Sequence, residues 1–294
     1  MSSRTPVQTR AELALAFLTF VWGSTFVAVK SALDDSSTLL FLAIRFSMAA
    51  AVLIVAFRGG EWKGRNLRHE LGAGLLVGVL LFSGYLFQTW GLLYTTPAKS
   101  GFLTGMNIAF VPLLGALLYR RTPAVSEWLG IAIAAGGMGL LTLEGQKQFS
   151  VNRGDLLTLF CAFAFALHLL AISKLSPIVS YRNLSMLQVG CAAVLALGSF
   201  WWAEPVRFQL TSRLGIALLV TSLFGTALAF TLMTWAQRHT TPTRAAVLFS
   251  LEPVVALGTS YIVSGEVFSR QAILGAVLIL AGILLVELKP IRVS

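Results

Sequence analysis

Apolar segments long enough to cross a lipid bilayer recur from one end of this sequence to the other. A helix needs roughly 20 apolar residues to span the hydrocarbon core of a membrane. Runs of about that length lie at residues 12–30, 38–57, 71–94, 97–118, 125–143, 154–173, 182–203, 213–236, 242–263 and 270–288. The runs are continuous and do not alternate with polar residues, which excludes a transmembrane barrel, and the loops are too short for a soluble domain. The sequence therefore predicts an all-α integral membrane protein with ten transmembrane helices.

The charges of the sequence are few and lie mainly between the apolar runs. Only 12% of the residues are charged, yet the net charge is +10. The basic residues are distributed over the helix ends and form no single patch, so we expect no nucleic-acid partner. If the N-terminus is cytoplasmic, most loop Lys and Arg residues fall on the cytoplasmic side, as the positive-inside rule requires. The prediction is a multi-pass protein of the inner (cell) membrane, embedded in the lipid bilayer with both termini cytoplasmic.

One short motif occurs twice, at corresponding places in the two halves of the chain. Residues 89–97 read TWGLLYTTP and residues 234–242 read TWAQRHTTP. Each half contains five of the predicted spans, and because five is odd, the second half must begin on the opposite side of the membrane. The sequence therefore predicts two five-helix inverted repeats, residues 1–148 and 149–294. Inverted repeats are a common plan among secondary transporters.

Two polar residues are predicted at the same depth in spans four and nine. Each TTP motif fits a helix start, because Thr suits the N-cap and Pro suits the first turn. Asn107 lies ten residues after Pro97, and Glu252 lies ten residues after Pro242. Each is therefore roughly 15 Å deep in a hydrocarbon core about 30 Å thick. An ionisable residue at that depth is a candidate functional group; the alternative for Glu252 is a hydrogen bond that locks it to a neighbouring helix.

Further polar candidates occur near the middle of spans one and six. Trp22, Ser24 and Thr25 lie together in span one, where they either line a cavity or mediate helix packing. In span six, His168 is a candidate proton acceptor or ligand-binding group. The simpler explanation for His168 is a hydrogen bond to a neighbouring helix.

Spans two and three each contribute a polar feature. Tyr85 and Gln88 in span three share one helix face, because they are three residues apart, and cavities for organic solutes combine a few polar groups with aromatic walls. Arg45 lies about 10 Å from the outer end of span two, within snorkelling range, which favours a structural role.

Spans five and ten are rich in small residues, which predicts either close helix packing or a homodimer contact. The sequence shows no metal-ligand spacing, no nucleotide-binding loop and no nucleophile–base pair. It therefore predicts no metal, no cofactor and no enzyme activity.

The pattern as a whole resembles the drug/metabolite transporter superfamily, in its EamA-type branch. The segments that carry the resemblance are FVWGSTFVAVKSAL in span one, FLAIRF in span two and LEPVVALGTSYIVSGEVFSRQAILGAVLILAGILL across spans nine and ten. The resemblance implies a central cavity surrounded by spans one, three, four, six, eight and nine, with five and ten at the side. By position, it implies a substrate-binding role for Trp22, Ser24, Thr25, Tyr85, Gln88, Asn107, His168 and Glu252.

The resemblance also implies export or exchange of small organic solutes, namely amino acids and related metabolites, with drugs as a further class. Two other functions remain open at this point. An intramembrane enzyme using His168 and Glu252 would need a catalytic constellation and would leave the inverted repeat unexplained. A non-transporting membrane scaffold would not need polar groups at matched depths.

Overall fold

The structure is a computed structural model that describes residues 5–58, 60–62, 65–95, 97–120, 124–142, 152–252, 254–255, 258–259 and 269–287. The described residues form helices and no strand. The helices are α1 Pro6–Ala32, α2 Thr38–Ala56, α3 Leu67–Tyr94, α4 Pro97–Gly105, α5 Asn107–Tyr119, α6 Val125–Thr142, α7 Arg153–Leu175, α8 Tyr181–Ser199, α9 Ser212–Ser222, α10 Ala229–Ala236, α11 Pro242–Phe249 and α12 Arg270–Glu287. A π-helical segment, Leu223–Leu228, joins α9 to α10.

Six helical stretches of the described chain are long and apolar enough to cross a membrane: Pro6–Ala32, Thr38–Ala56, Leu67–Tyr94, Ser100–Tyr119, Arg153–Leu175 and Ser212–Ala236. Two shorter apolar helices, Val125–Leu140 and Arg270–Leu285, accompany them. The all-helical class predicted from the apolar runs is confirmed. The count of ten spans and the inversion of the two halves remain predictions.

Local side-chain chemistry fixes where several helices begin. Thr5 caps α1, and its hydroxyl accepts from the backbone N–H of Gln8 while the Gln8 side chain reaches back to Thr5. The hydroxyl of Thr241 likewise accepts from the backbone N–H of Arg244, with Pro242 in the first turn of α11. This cap is the one predicted from the second TTP motif, whereas Thr96 of the first motif lies outside the described residues.

Two ends of the helix bundle can be defined by polar contacts. At the first, called here the Lys30 end, Nζ of Lys30 at the end of α1 donates to the carbonyl oxygens of Leu92 and Thr95 at the end of α3. At the second, the Arg244 end, the Arg244 guanidinium contacts the Glu12 carboxylate at 2.8 Å. Because Glu12 belongs to the first turns of α1, these two contacts lie at opposite ends of the same helix.

The small residues of α6 and α12 bring these two helices into close contact with each other. A Cβ on Gly137 would lie 2.6 Å from the carbonyl oxygen of Gly275, and a Cβ on Gly282 would lie 2.5 Å from that of Gly130. The two contacts are reciprocal, because a shift of 145 residues converts Gly137 into Gly282 and Gly130 into Gly275. Close packing is therefore the role of these glycines, and they are not available to a homodimer contact.

Spans four and nine are both interrupted at the depth of the predicted polar pair. Met106 separates α4 from α5, so that Asn107 is the first residue of α5. α11 ends at Phe249, three residues before Glu252. Interrupted helices at membrane depth occur where the backbone is buried in protein or lines a cavity.

Candidate functional site

A cavity of about 70 Å³ lies among the helices at the level of these interruptions. Its walls are aromatic and aliphatic with a minority of polar groups, as in many small-molecule sites. The lining residues are Trp22, Thr25, Phe26, Val29, Arg45, Tyr85, Gln88, Leu92, Thr104, Asn107, Phe165, His168, Leu169, Phe230, Met233, Phe249 and Glu252. They come from α1, α2, α3, α4, α5, α7, α10, α11 and the segment that follows α11.

Seven of the eight residues that the sequence analysis selected line this one cavity, and Ser24 does not. The hydroxyl of Ser24 donates to the carbonyl oxygen of Val21, within the same helix, at 2.8 Å. The lining residues of α1 follow the spacing of one helix face, from Trp22 to Val29, and Ser24 falls off that face. Ser24 does not line this cavity because adjacent residues of a helix point about 100° apart, and its substrate-binding role stays a prediction.

Asn107 and Glu252 both border the cavity, from the two interrupted spans. Oδ1 of Asn107 is buried and has no hydrogen-bond partner. The structure gives the Glu252 carboxylate no hydrogen bond or ion pair within the described part of the chain, so the packing lock considered from the sequence is absent there. The backbone of Glu252 packs closely against α1, because a Cβ on Gly23 would lie 2.7 Å from its carbonyl oxygen.

Arg45 is the charged lining residue that the sequence analysis did not select. Its Nε donates to the hydroxyl of Thr226 at 2.8 Å. Its Nη2 donates to the Tyr85 hydroxyl at 3.1 Å and to the Gly225 carbonyl at 3.2 Å, and the guanidinium carbon stands 4.4 Å from the centre of the Tyr85 ring. These contacts hold Arg45 in the wall of the cavity, and its structural role stays a prediction. A charged residue well inside a span was the signal that could have found it.

The π-helical segment explains why carbonyl groups are available to Arg45. A π turn shifts the backbone hydrogen-bond register by one residue, and the hydroxyl of Thr226 donates to the carbonyl of Thr221 five residues earlier. The Gly225 carbonyl accepts from Arg45 and also from the indole N–H of Trp22 at 3.0 Å. The Trp22 ring is therefore held in one position in the cavity wall, and its indole N–H is already used in a hydrogen bond.

The aromatic walls hold one another in place. Tyr85 makes edge-to-face contacts with Phe46, Phe165 and Phe230 at centroid distances of 5.3, 5.4 and 6.0 Å. Trp22 lies against Phe230 and Phe249. Such offset and edge geometries are the favoured ones for aromatic pairs, so these rings support one another in the apolar part of the wall.

A hydrogen-bonded chain fixes the tautomer of His168. The Thr234 hydroxyl donates to the Phe230 carbonyl at 2.6 Å, so it must accept from Nε2 of Gln188 at 2.9 Å. The remaining oxygen of the Gln188 amide faces Nε2 of His168 at 2.9 Å. Nε2 therefore carries the proton, and Nδ1 is an acceptor without a hydrogen-bond partner among the described residues. The predicted bond to a neighbouring helix exists, and it orients a residue that also lines the cavity.

Gln88 closes another part of the wall through Thr104. The amide nitrogen of Gln88 donates to the Thr104 hydroxyl at 3.3 Å, and that hydroxyl lies 3.8 Å from the sulfur of Cys161. Within the described ranges, no group of three or more His, Cys, Asp or Glu residues is arranged to hold a metal ion.

The cavity extends toward the Lys30 end, because Val29 and Leu92 line it. Val29 precedes Lys30 in the chain, and the carbonyl oxygen of Leu92 accepts from Nζ of Lys30. A second depression of about 450 Å³ lies at the Arg244 end, bordered by Val111, Leu170 and Pro242 among others. The fully buried side chains of Ile108 on α5 and Ala245 on α11 lie between the two lining sets along their helices.

This chain is similar to proteins that are named transporters. The sequence matches the EamA-like transporter family over residues 9–143 and again over residues 152–288. An uncharacterized transporter of Archaeoglobus fulgidus is 32% identical over 279 residues, which cover 95% of this chain and 86% of that protein. The uncharacterized inner membrane transporter YedA of Escherichia coli K12 is 28% identical over 287 residues, with 94% and 90% covered.

A protein of known crystal structure shares the overall fold. It superposes with a TM-score of 0.78 over 97% of this chain and 98% of its own, at 19% sequence identity.

Proposed function

Because this chain belongs to the EamA-like transporter family and is a multi-pass membrane protein, we propose that it is a secondary transporter or facilitator that exports small organic solutes. The solutes are amino acids or related metabolites, with drugs as a further class. Transport proceeds by alternating access to the cavity that Asn107 and Glu252 border.

The observation that carries this proposal is that several polar side chains line a cavity enclosed by apolar helices. A charged or unpaired polar group within a membrane is costly unless it meets a partner or water. Arg45, Asn107, His168 and Glu252 converge on one space, where a solute supplies those partners in transit. At about 70 Å³ the cavity is smaller than typical sites for drug-sized ligands, roughly 300–1,000 Å³. A small solute fits this size, and a larger one requires the walls to separate.

The two halves, residues 1–148 and 149–294, are the repeats of the proposed mechanism. Three features support their inverted relationship: the separate family match in each half, the reciprocal contacts of Gly137 and Gly282, and the matched interruptions of spans four and nine. In such a design, exchange of conformation between the halves closes one end and opens the other. The depression at the Arg244 end is the proposed second access route.

The membrane placement follows from the same proposal. Both termini lie in the cytoplasm, so the Arg244 end faces the cytoplasm and the Lys30 end faces outward. The inner (cell) membrane is the proposed location, because the relative YedA of Escherichia coli is named an inner membrane transporter. A homodimer through spans five and ten would use the lipid-facing residues of α12, such as Leu280 and Leu284, since its glycines contact α6.

Solute flux in proteoliposomes tests the proposed function. Purified protein is reconstituted, and uptake of radiolabelled amino acids, dipeptides and cationic drugs is compared with that of protein-free vesicles. Flux of at least one solute class is expected, and the Glu252→Gln variant at equal insertion serves as the matched control. A catalytic product without net flux would favour the intramembrane enzyme, and neither flux nor product would favour the scaffold.

A further inference from the structure

A groove separate from the central cavity lies on the surface of the helix bundle, between α2, α3 and α8. Its volume is about 500 Å³, within the range of roughly 300–1,000 Å³ that ligand sites occupy. Its side chains are apolar or aromatic apart from one thiol, and they include Ile54, Leu71, Leu75, Leu187, Cys191 and Val194. Ile54, Leu75 and Val194 are 55%, 59% and 68% exposed. This groove, called here the α8 groove, therefore opens toward the lipid.

Glycines give the α8 groove its floor and its open space. A Cβ on Gly74 would lie 2.3 Å from Cβ of Leu187, and a Cβ on Gly78 would lie 2.5 Å from Cβ of Cys191. These two glycines let α3 pack directly against α8. Gly190 also lines the groove, and nothing lies within 4 Å of a Cβ at that position. The missing side chain of Gly190 therefore leaves room for an occupant.

The loop between α2 and α3 covers the Arg244 end of the α8 groove and is held in place. Nδ2 of the buried Asn183 donates to the Glu61 carbonyl at 2.8 Å, and its Oδ1 accepts from the Glu61 backbone N–H at 2.7 Å. Gly60 has a φ of +102°, and a Cβ there would lie 2.5 Å from Cε of Met186 and 2.9 Å from Nε1 of Trp62. These contacts hold Trp62 at the end of the groove, the level at which Trp commonly meets the membrane–water interface.

The same end of the groove carries more basic than acidic side chains. In the described part of this loop and in the first turns of α3 and α8, four arginines and two glutamates occur: Arg58, Arg65, Arg68, Arg182, Glu61 and Glu70. Arg65 pairs with Glu70, and Arg182 pairs with Glu61, each at 2.9 Å. Four minus two leaves an excess of two positive charges. They belong to Arg58 and Arg68, which are exposed and which no carboxylate of the described residues contacts.

The apolar and the basic parts are separated by about the thickness of one membrane leaflet. Val194 follows Arg182 by twelve residues of α8, or about 18 Å of helix, and half of a hydrocarbon core about 30 Å thick is about 15 Å. An amphiphile with a long apolar chain and an anionic headgroup matches this arrangement, because exposed arginines at the membrane surface attract anionic lipids. A neighbouring helix would cover the same apolar side chains but leave the two arginines without an anion.

We propose that the α8 groove binds a phospholipid with an anionic headgroup. One acyl chain lies against Gly190 and Cys191, and the phosphate lies near Arg58 and Arg68. The site shares no lining residue with the central cavity, and the inference holds whichever solute crosses the membrane. Because a ligand that binds only the folded state stabilises it, the bound lipid stabilises the packing of α2 and α3 against α8.

Native mass spectrometry of the purified, delipidated protein tests the headgroup. The protein is titrated with dioleoyl phosphatidylglycerol and, separately, with dioleoyl phosphatidylethanolamine, which has the same chains and no net charge. Phosphatidylglycerol is expected to bind about tenfold more tightly or better, because each basic residue near an anionic headgroup contributes about fivefold in affinity. The variant with both Arg58→Gln and Arg68→Gln should bind the two lipids equally. Equal affinities in the wild type would overturn the role of the arginines.

Gly190→Leu tests the groove itself. The new side chain occupies the space of the acyl chain, so the affinity for phosphatidylglycerol is expected to fall by about tenfold or more. The thermal midpoint in lipid-free detergent should not change, because a Cβ at this position meets nothing. Gly198→Leu is the matched control, since Gly198 has the same open surroundings on the same helix and does not line the groove. Unchanged lipid affinity in Gly190→Leu would contradict the site.

A third measurement needs no substitution in the groove and decides the question if Gly190→Leu does not fold. Cys191 lines the groove and is half-buried, so a bound acyl chain should shield it. In a Cys161→Ser background, phosphatidylglycerol is expected to slow the labelling of Cys191 by N-ethylmaleimide several-fold, and phosphatidylethanolamine at the same concentration should not. Equal rates with and without phosphatidylglycerol would overturn the proposal. A dimer that Gly190→Leu dissociates, without bound lipid, would instead assign the groove to a second copy of this chain.

Discussion

Gly23 of α1 lies directly against the backbone of Glu252: a Cβ at position 23 would stand 2.7 Å from the Glu252 carbonyl oxygen and 2.9 Å from Cβ of Val255. Real Cβ atoms do not approach other heavy atoms so closely. The glycine therefore sets how near α1 can come to the interrupted span that carries Glu252, as small residues do at helix interfaces in membranes.

Gly23→Ala is expected to push these two segments apart. The obstacle is partly backbone, so it cannot rotate away, and overpacking of this kind costs about 1–3 kcal/mol. Thermal unfolding in detergent should show a lower midpoint, and flux should fall with it. Gly190→Ala is the matched control, because nothing lies within 4 Å of a Cβ at that position of α8. Equal midpoints for the two variants would contradict the close contact.

Glu252→Gln is expected to keep the fold and to reduce transport by about tenfold or more. The amide has nearly the same shape but cannot hold a negative charge, so a cationic group of the solute loses its counter-ion, an interaction typically worth 1.5–3 kcal/mol. Initial flux rates at equal insertion measure the effect. The control is Glu204→Gln. Glu204 lies in a loop, and its carboxylate accepts from the backbone N–H of Leu39 at the start of α2. The amide oxygen of Gln can accept the same hydrogen bond. Full activity of Glu252→Gln would remove this residue from the site.

The ion pair of Glu12 with Arg244 is expected to stabilise the closed Arg244 end. Both side chains are buried, at 9% and 5% exposure, and removing one partner of a buried pair commonly costs about 3–5 kcal/mol. Arg244→Gln should therefore lower the thermal midpoint more than Arg244→Lys, which retains the charge.

The same variant tests whether this end opens. The reporter is Ile108→Cys, in a background with Cys161 and Cys191 replaced by Ser. Position 108 lies between the cavity and the depression at the Arg244 end. Arg244→Gln is expected to increase its labelling by a membrane-impermeant thiol reagent applied from the Arg244 end. Unchanged labelling would show that the pair contributes stability without controlling access.

Asp35, in the loop between α1 and α2, is expected to make stability pH-dependent at acid pH. Two hydrogen bonds from the Arg213 guanidinium, at 2.9 and 3.0 Å, and one from the Thr211 hydroxyl hold the pKa of the Asp35 carboxyl below its ordinary value of 3.8. Arg207 lowers this pKa further, and burial opposes the effect. A carboxyl with a lowered folded-state pKa stabilises fully above its unfolded-state pKa and loses that contribution as pH falls through the folded one.

The measurement compares thermal midpoints of the wild type and Asp35→Asn from neutral pH downward. The wild type should be more stable at neutral pH, and the difference should shrink below about pH 4. Asp34→Asn is the control, since Asp34 is 70% exposed and lies 3.6 Å from Arg213. A constant difference across the range would show that Asp35 does not titrate within the folded protein in this way.

The sequence determined the helical class and where several of the helices begin and end. The prediction of span two, 38–57, differs from α2 by one residue, and the second TTP motif begins α11 as expected. Counting ten residues from each motif was enough to put Asn107 and Glu252 at the level where their spans are interrupted. This is possible because helix rise converts residue number into depth, and because continuous apolar runs of that length are stable in a bilayer only as helices.

The tertiary structure decided which way each side chain faces and which partner it meets across helices. Ser24 falls off the lining face while Thr25 stays on it. Arg45 is held in the cavity wall by contacts to a π-helical segment that no sequence motif predicted. The acceptor role of Nδ1 of His168 depends on Gln188 of α8 and Thr234 of α10. Rotation about a helix axis and the choice of neighbour are set by packing among all the helices together. A local sequence pattern fixes only the order of residues along one of them.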